Sequence, residues 1–296
     1  TRRGEPPPDG PGVEMERPEA LRIIVHPTPA GRLPVLAAGC RADFVTLVRA
    51  LARQGEPAPV PDSMGALMVA GFNNWDRVAT LRRAWEAEHG GDGWRAAWKE
   101  LIPRRELYQD RFVILSPGPY SGVPAREMGM EEARWNEVSL AIRLEHEAAH
   151  YFSRRLFGAM RPHALDEIVA DYVGITAAAG RYRPEWALRF LGLEAHPRFR
   201  AGGRLANYRG ALGDGAFAVL CSMAHAAVAA LADFDAARRH RDGAARSGPE
   251  LAALFALPLE ALAAPDAASR LQRSRRRPWQ RGGARRTQST SFTPVR

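Results

Sequence analysis

The stretch LEHEAAHYFSRRLFG, residues 144–158, holds His146, Glu147 and His150 in the order HEAAH. On a helix, residues four apart share a face about one turn apart. The imidazoles of His146 and His150 can therefore converge on one cation. Zinc takes imidazole nitrogens at about 2.0–2.1 Å. Glu147 is turned about a hundred degrees from His146, which puts its carboxylate beside such a cation rather than on it. There it can take a proton from a water molecule. The alternative is a pair of ordinary helix histidines, with Glu147 in a salt bridge to Arg143 or Arg154.

Downstream, DEIVAD repeats the same spacing with Glu167 and Asp171. A catalytic zinc has three protein ligands and one open position, and Glu167 can supply the third. An acid in the first turn of a helix is also favoured by the helix dipole alone. Asp171 has Val169, Ala170 and Val173 as neighbours. It is expected to be buried and so to need a partner. It can accept a hydrogen bond from the free ring nitrogen of a ligating histidine, fixing its tautomer.

These groups need two helices and a short connection. Residues 131–158 carry Trp135, Val138, Ile142, Ala149, Phe152 and Leu156 in an apolar helical stripe, with Gly158 as the stop. Pro162 marks the connection, and residues 164–180 form the second helix, ended by Gly180. Upstream, LRIIVHP (21–27) reads as a strand and residues 41–55 as a helix. Residues 57–63 read as a turn, 74–91 as a helix capped by Asn73 or Asn74, and 94–102 as another helix. RFVILS (111–116) reads as a strand running into the turn SPGPYSG (116–122), where Tyr120 and Ser121 can line a cleft. Residues 184–264 read as mostly helical. The expected fold is α+β and predominantly helical, with a small sheet. The expected organisation is a disordered segment 1–20, a mixed region 21–110, a metal-binding region 111–265 and a disordered tail 266–296.

HEAAH followed by a helix carrying ExxxD resembles the gluzincin zinc hydrolases, the thermolysin-like group. The resemblance covers roughly residues 144–174. It implies a zincin-like core with zinc as cofactor, His146, His150 and Glu167 as ligands, and Glu147 as the base that activates water. It also implies that Asp171 supports a zinc-binding histidine, and that the substrate is a peptide or protein cleaved at an amide bond. The group places an edge strand before the first helix, and RFVILS resembles it in chain order. The seventeen residues from His150 to Glu167 are fewer than in the large members. For the oxyanion-stabilising Tyr or His of the group, His163, Tyr172, Tyr182, Tyr208 and His225 are all candidates.

The net charge of +9 sits in one place: residues 270–296 hold nine arginines and no acid, so residues 1–269 are close to neutral. The tail is polar and aperiodic and reads as disordered. It carries the alternative function, a non-catalytic metal-binding or interaction protein that contacts nucleic acid through this tail. A further alternative is a zinc-dependent regulator with one dedicated protein substrate. The start has no apolar signal region, and no apolar stretch of membrane-spanning length is expected. Cys40 and Cys221 lie far apart and are expected as buried thiols in a reducing cytoplasm.

Overall fold

The computed structural model describes residues 13–91, 93–158, 164–242 and 248–275. Four strands, β1 (Arg22–Thr28), β2 (Gly31–Ala37), β3 (Ala66–Asn73) and β4 (Gln109–Leu115), form one mixed sheet in the order β1-β2-β4-β3. β1–β2 is an antiparallel hairpin, β2 runs parallel to β4, and β3 is antiparallel to β4. Between them lie α1 (Arg41–Ala52), α2 (Trp75–His89) and α3 (Trp94–Leu101). After the sheet come the short α4 (Ala125–Met128) and the two long central helices, α5 (Glu132–Phe157) and α6 (Ala164–Ala179). The chain ends in α7 (Pro184–Leu191), α8 (Asp214–Asp242), α9 (Gly248–Ala256), α10 (Leu259–Leu262) and α11 (Ala267–Arg275). The fold is α+β and predominantly helical.

β4 explains the layering. Its residues Phe112, Val113, Ile114 and Leu115 are all buried. Side chains alternate along a strand. Phe112 and Ile114 pack with Phe44, Leu47 and Val48 of α1, whereas Val113 and Leu115 pack with Ala148 and Tyr151 of α5. A strand buried on both faces belongs inside a sheet. RFVILS is therefore a central strand, not the edge strand expected for it. The edge next to it is β3, which begins after the 57–63 turn and was not expected as a strand. The opposite side of α5 carries the stripe read from the sequence: Trp135, Val138, Ile142, Ala149 and Phe152 are buried against α6 and the C-terminal helices, with Leu156 packed at the margin. α5 and α6 cross closely at Gly174. A β-carbon there would lie 2.5 Å from the Ile142 carbonyl oxygen, so no side chain fits.

Several boundaries fell where local chemistry put them. Asn74 caps α2, its Oδ1 accepting from the Arg77 amide at 2.9 Å. Gly158 and Gly180, which follow α5 and α6, have φ of 76° and 71°. Other expectations are corrected. The sheet takes strands from both sides of the 110/111 boundary, so those regions share a layer. Residues 192–213, expected to be helical, form an irregular connection with one 3-10 turn, Arg204–Tyr208; Pro197 and the glycines at 202, 203, 210 and 213 interrupt the helical pattern. The disordered tail expected from residue 266 starts with α11, ordered by the burial of Ala267 and Leu271. Of the segment 1–20 expected to be disordered, residues 13–20 lead into a 3-10 turn, Pro18–Ala20, with the Glu16 and Arg17 amides donating to Asp43; residues 1–12 and the tail beyond 275 lie outside the described residues. Cys40 is half-exposed and caps α1 through its sulfur; Cys221 is buried, and both are free thiols. Residues 215–232 carry no Asp, Glu, Lys or Arg, and the stretch Asp214–Arg238 of α8 is long and apolar enough to cross a membrane, contrary to the reading of the sequence. One side of it, at Phe217, Cys221, Ala224, Val228 and Leu231, is core.

Candidate metal centre

α5 presents Arg143, His146, Glu147, His150 and Arg154 along one line to a cleft of about 820 Å³, a size within the usual range of ligand clefts. Opposite lie Gly65 and the start of β3 (Ala66 to Met68), the loop 116–122, Glu167 of α6, and Arg204 and Asn207 of the 3-10 turn. The N-terminal region thus forms one wall.

His146 and His150 are buried, and their Nε2 atoms are 3.0 Å apart. Glu167 faces both: Oε2 is 3.4 Å from His146 Nε2, and Oε1 is 3.3 Å from His150 Nε2. Together they offer three ligand atoms within 4.8 Å of one another. A tetrahedral ion bound at about 2.0–2.1 Å requires donors about 3.3–3.4 Å apart. The two imidazole nitrogens, and each of them with its facing Glu167 oxygen, stand close to that spacing, and the donor set of two imidazoles and a carboxylate suits zinc. Glu147 lines the cleft on the same helix, half-buried, and its charge acts on Arg143 one turn earlier.

A second tier of groups orients His146. Asp171 Oδ1 is 2.7 Å from the Tyr120 hydroxyl and 3.1 Å from His146 Nδ1, and Tyr120 Oη is 2.8 Å from the same Nδ1. A carboxylate oxygen only accepts, so the hydroxyl and Nδ1 must each bring it a proton. His146 therefore carries Nδ1–H, and its Nε2 faces the ligand cluster. Arg204 closes the tier, pairing with Asp171 through Nη2 and donating from Nη1 to Tyr120 Oη at 3.0 Å. Burial would raise the pKa of Asp171, but Arg204 and then His146 hold it below its ordinary value. Burial pushes the Tyr120 phenol well up, keeping it a neutral donor. Burial would also raise Glu167, but its hydrogen bonds with His146 and His150 pull it far down.

For His146, burial favours the neutral ring, but Asp171 and Glu167 win and raise its pKa from 6.5 to about 9. In metal-free protein the Nε2 proton sits where an ion would bind. A raised folded-state pKa contributes stability that is complete below the unfolded value and is lost as pH rises through the folded one. With one unit worth about 1.4 kcal/mol, the contribution is of order 3 kcal/mol. The melting temperature of chelator-treated protein should therefore fall between about pH 6.5 and 9. A flat profile across that window would show that His146 is not held this way.

The structure brings together all five residues singled out from the sequence: His146, Glu147, His150, Glu167 and Asp171. Tyr120 and Ser121 line the cleft as expected. Of the oxyanion candidates, Tyr208 follows the cleft residue Asn207, and burial and then the charge of Glu167 push its phenol upward. Tyr172 bonds Asp235 instead, Tyr182 is buried with its amide on Asp235, and His225 stacks on His196; none of these three lines the cleft. His163 lies outside the described residues. Sequence reasoning missed Arg204, which sits in an irregular Gly-rich connection with no period to mark it. It also missed the use of Arg143, whose guanidinium is buried and bonds loop carbonyls.

Fold and site together define a predominantly helical α+β protein whose central helix pair gathers a three-donor group able to hold a metal ion. Residues 1–266 match the model of a family described as a family of unknown function (DUF7005), and the chain belongs to that family. No curated protein and no solved structure matches it.

Proposed function

We propose that this protein is a zinc-dependent hydrolase, a metallopeptidase acting on peptide or protein substrates. The observation that carries this reading is the convergence of His146 Nε2, His150 Nε2 and the Glu167 carboxylate, one oxygen 3.4 Å from the first and the other 3.3 Å from the second, on the wall of a cleft that also holds Glu147. The resemblance of HEAAH and ExxxD to the gluzincins supports the same roles.

A zinc ion held by the three donors would supply a Lewis acid and lower the pKa of a bound water towards 7. The chain's own groups do the rest. Glu147 accepts the proton of the attacking water and returns it to the leaving amine. Asp171 and Tyr120 hold His146 in its Nδ1–H form. β3 is an edge strand whose first residues line the cleft, so an extended peptide can add to it through main-chain hydrogen bonds.

Elemental analysis of purified protein tests the reading. About one zinc per chain is expected. Cleavage of an unfolded protein substrate should stop on chelation and return with zinc. Protein that takes up no zinc even when it is supplied would overturn the proposal.

A further inference from the structure

Loop 116–123 is tied to α5 by three side chains spaced four residues apart. The Trp135 indole donates to the Val123 carbonyl at 2.7 Å. Ser139 Oγ accepts from the Tyr120 amide at 2.9 Å. The Arg143 guanidinium donates to the carbonyls of Ser116 at 2.7 Å and Pro119 at 3.3 Å, with a longer contact to Gly118 at 3.4 Å. All three side chains are buried. Residues at i, i+4 and i+8 follow one face of a helix, and the next turn of that face carries His146. One helix thus anchors both the loop and the first histidine of the cluster. The residue just before β3 holds the loop from its other side, the Ser116 amide donating to the Gly65 carbonyl at 2.9 Å. A β-carbon on Gly65 would meet Arg143 Nε at 2.6 Å, so the chain entering β3 passes directly over the clasp.

The loop contains one backbone feature that needs such fixing. Between Gly118 and Gly122, whose positive φ is natural to glycine, Ser121 holds φ of 53°, the left-handed region that residues with a β-carbon seldom adopt. What the clasp delivers is one side chain. Tyr120 is 4% exposed, and its hydroxyl reaches both His146 Nδ1 and Asp171. A loop used only for packing would have no reason to place a hydroxyl there. A phenylalanine would fill the same space against Phe190, whose ring is 5.0 Å away.

We propose that loop 116–123 is a positioning device for the metal centre, acting through the hydroxyl of Tyr120, with Trp135, Ser139 and Arg143 as its clasp. The inference rests on the reading of His146, His150 and Glu167 as zinc ligands. Tyr120 is a positioning residue: it touches a ligand and the ligand's carboxylate partner. Without its hydroxyl, Asp171 keeps Arg204 but loses a donor, and His146 Nδ1 loses one of its two partners. Such outer partners of metal ligands are typically worth 10–100-fold in affinity.

The test is the zinc dissociation constant of the full chain, measured by competition with a chromophoric chelator, beside the melting temperature of the metal-free protein. Tyr120→Phe should weaken zinc binding about 10-fold or more while the metal-free melting temperature stays close to wild type. Ser139→Ala keeps the hydroxyl but frees the loop. It should weaken zinc in the same direction and by less, and it serves as the readout if Tyr120→Phe does not fold. Wild-type affinity in both variants would overturn the positioning role while leaving the metal site standing. A wild-type chain that binds no zinc would overturn the metal site itself, and this inference with it.

Discussion

Glu147→Gln is expected to leave about one zinc on each chain and to lower the rate of amide hydrolysis by at least about 100-fold, the lower end of what a positioned general base contributes. The substitution is close to isosteric and removes only the ability to take a proton. The fold gives it little to disturb. Glu147 is half-buried at the cleft, and the neighbour its charge acts on, Arg143, remains fastened to loop carbonyls. The three converging donors are untouched, so metal content and melting temperature should match wild type. Rates on a peptide substrate, measured beside zinc content on the same preparation, decide the matter. Hydrolysis that persists with full zinc would remove Glu147 from the mechanism. The same measurement separates an enzyme from a metal-binding protein without activity, since a site that only binds has no use for a base beside it.

How far this site could be read from the sequence depends on how local each part is. HEAAH and DEIVAD announce themselves because helical spacing puts their groups on one face whatever the rest of the chain does. The long stripe of α5 and the glycine stops after α5 and α6 were legible for the same reason. What could not be read is what arrives from a distance. β3 lies 78 residues before His146 at Met68, and its short apolar run follows a turn and received no assignment. Its place at the cleft depends on the pairing with β4, which no local pattern encodes. The error over RFVILS had a usable signal. Four consecutive buried apolar residues mark a strand covered on both faces, and an edge strand with one solvent face would alternate. Arg204 comes from a connection with no period at all, and only the expected burial of Asp171, an acid with one histidine partner in sequence, could have called for a cation there. Trp135, Ser139 and Arg143 were visible as a four-residue series. Their target, a loop that folds back from β4, was not.

The coupling between the two tiers of the site makes the ligand substitutions more informative than a simple loss of metal. His150→Ala and Glu167→Ala should each reduce zinc from about one per chain to near zero after dialysis, because two remaining donors do not make a stable site. Their effects on the metal-free protein should differ. His150→Ala removes the contacts of Nε2 with His146 at 3.0 Å and Glu167 at 3.3 Å, but it leaves in place both carboxylates that hold the charge of His146, Asp171 and Glu167. Glu167 faces both histidines at 3.3–3.4 Å and lies 4.0 Å from Arg204 Nε, so its loss strips the His146 imidazolium of one of its two carboxylates. With Asp171 alone as partner, His146 should release its proton at a lower pH, and the fall in metal-free melting temperature should begin earlier than in wild type. Elemental analysis and melting curves from pH 6 to 10 on both variants check this. Zinc retained in either variant would exclude that residue as a ligand. Equal pH profiles in both would mean that Glu167 does not hold the charge of His146, and that the geometry of the cluster serves the metal alone.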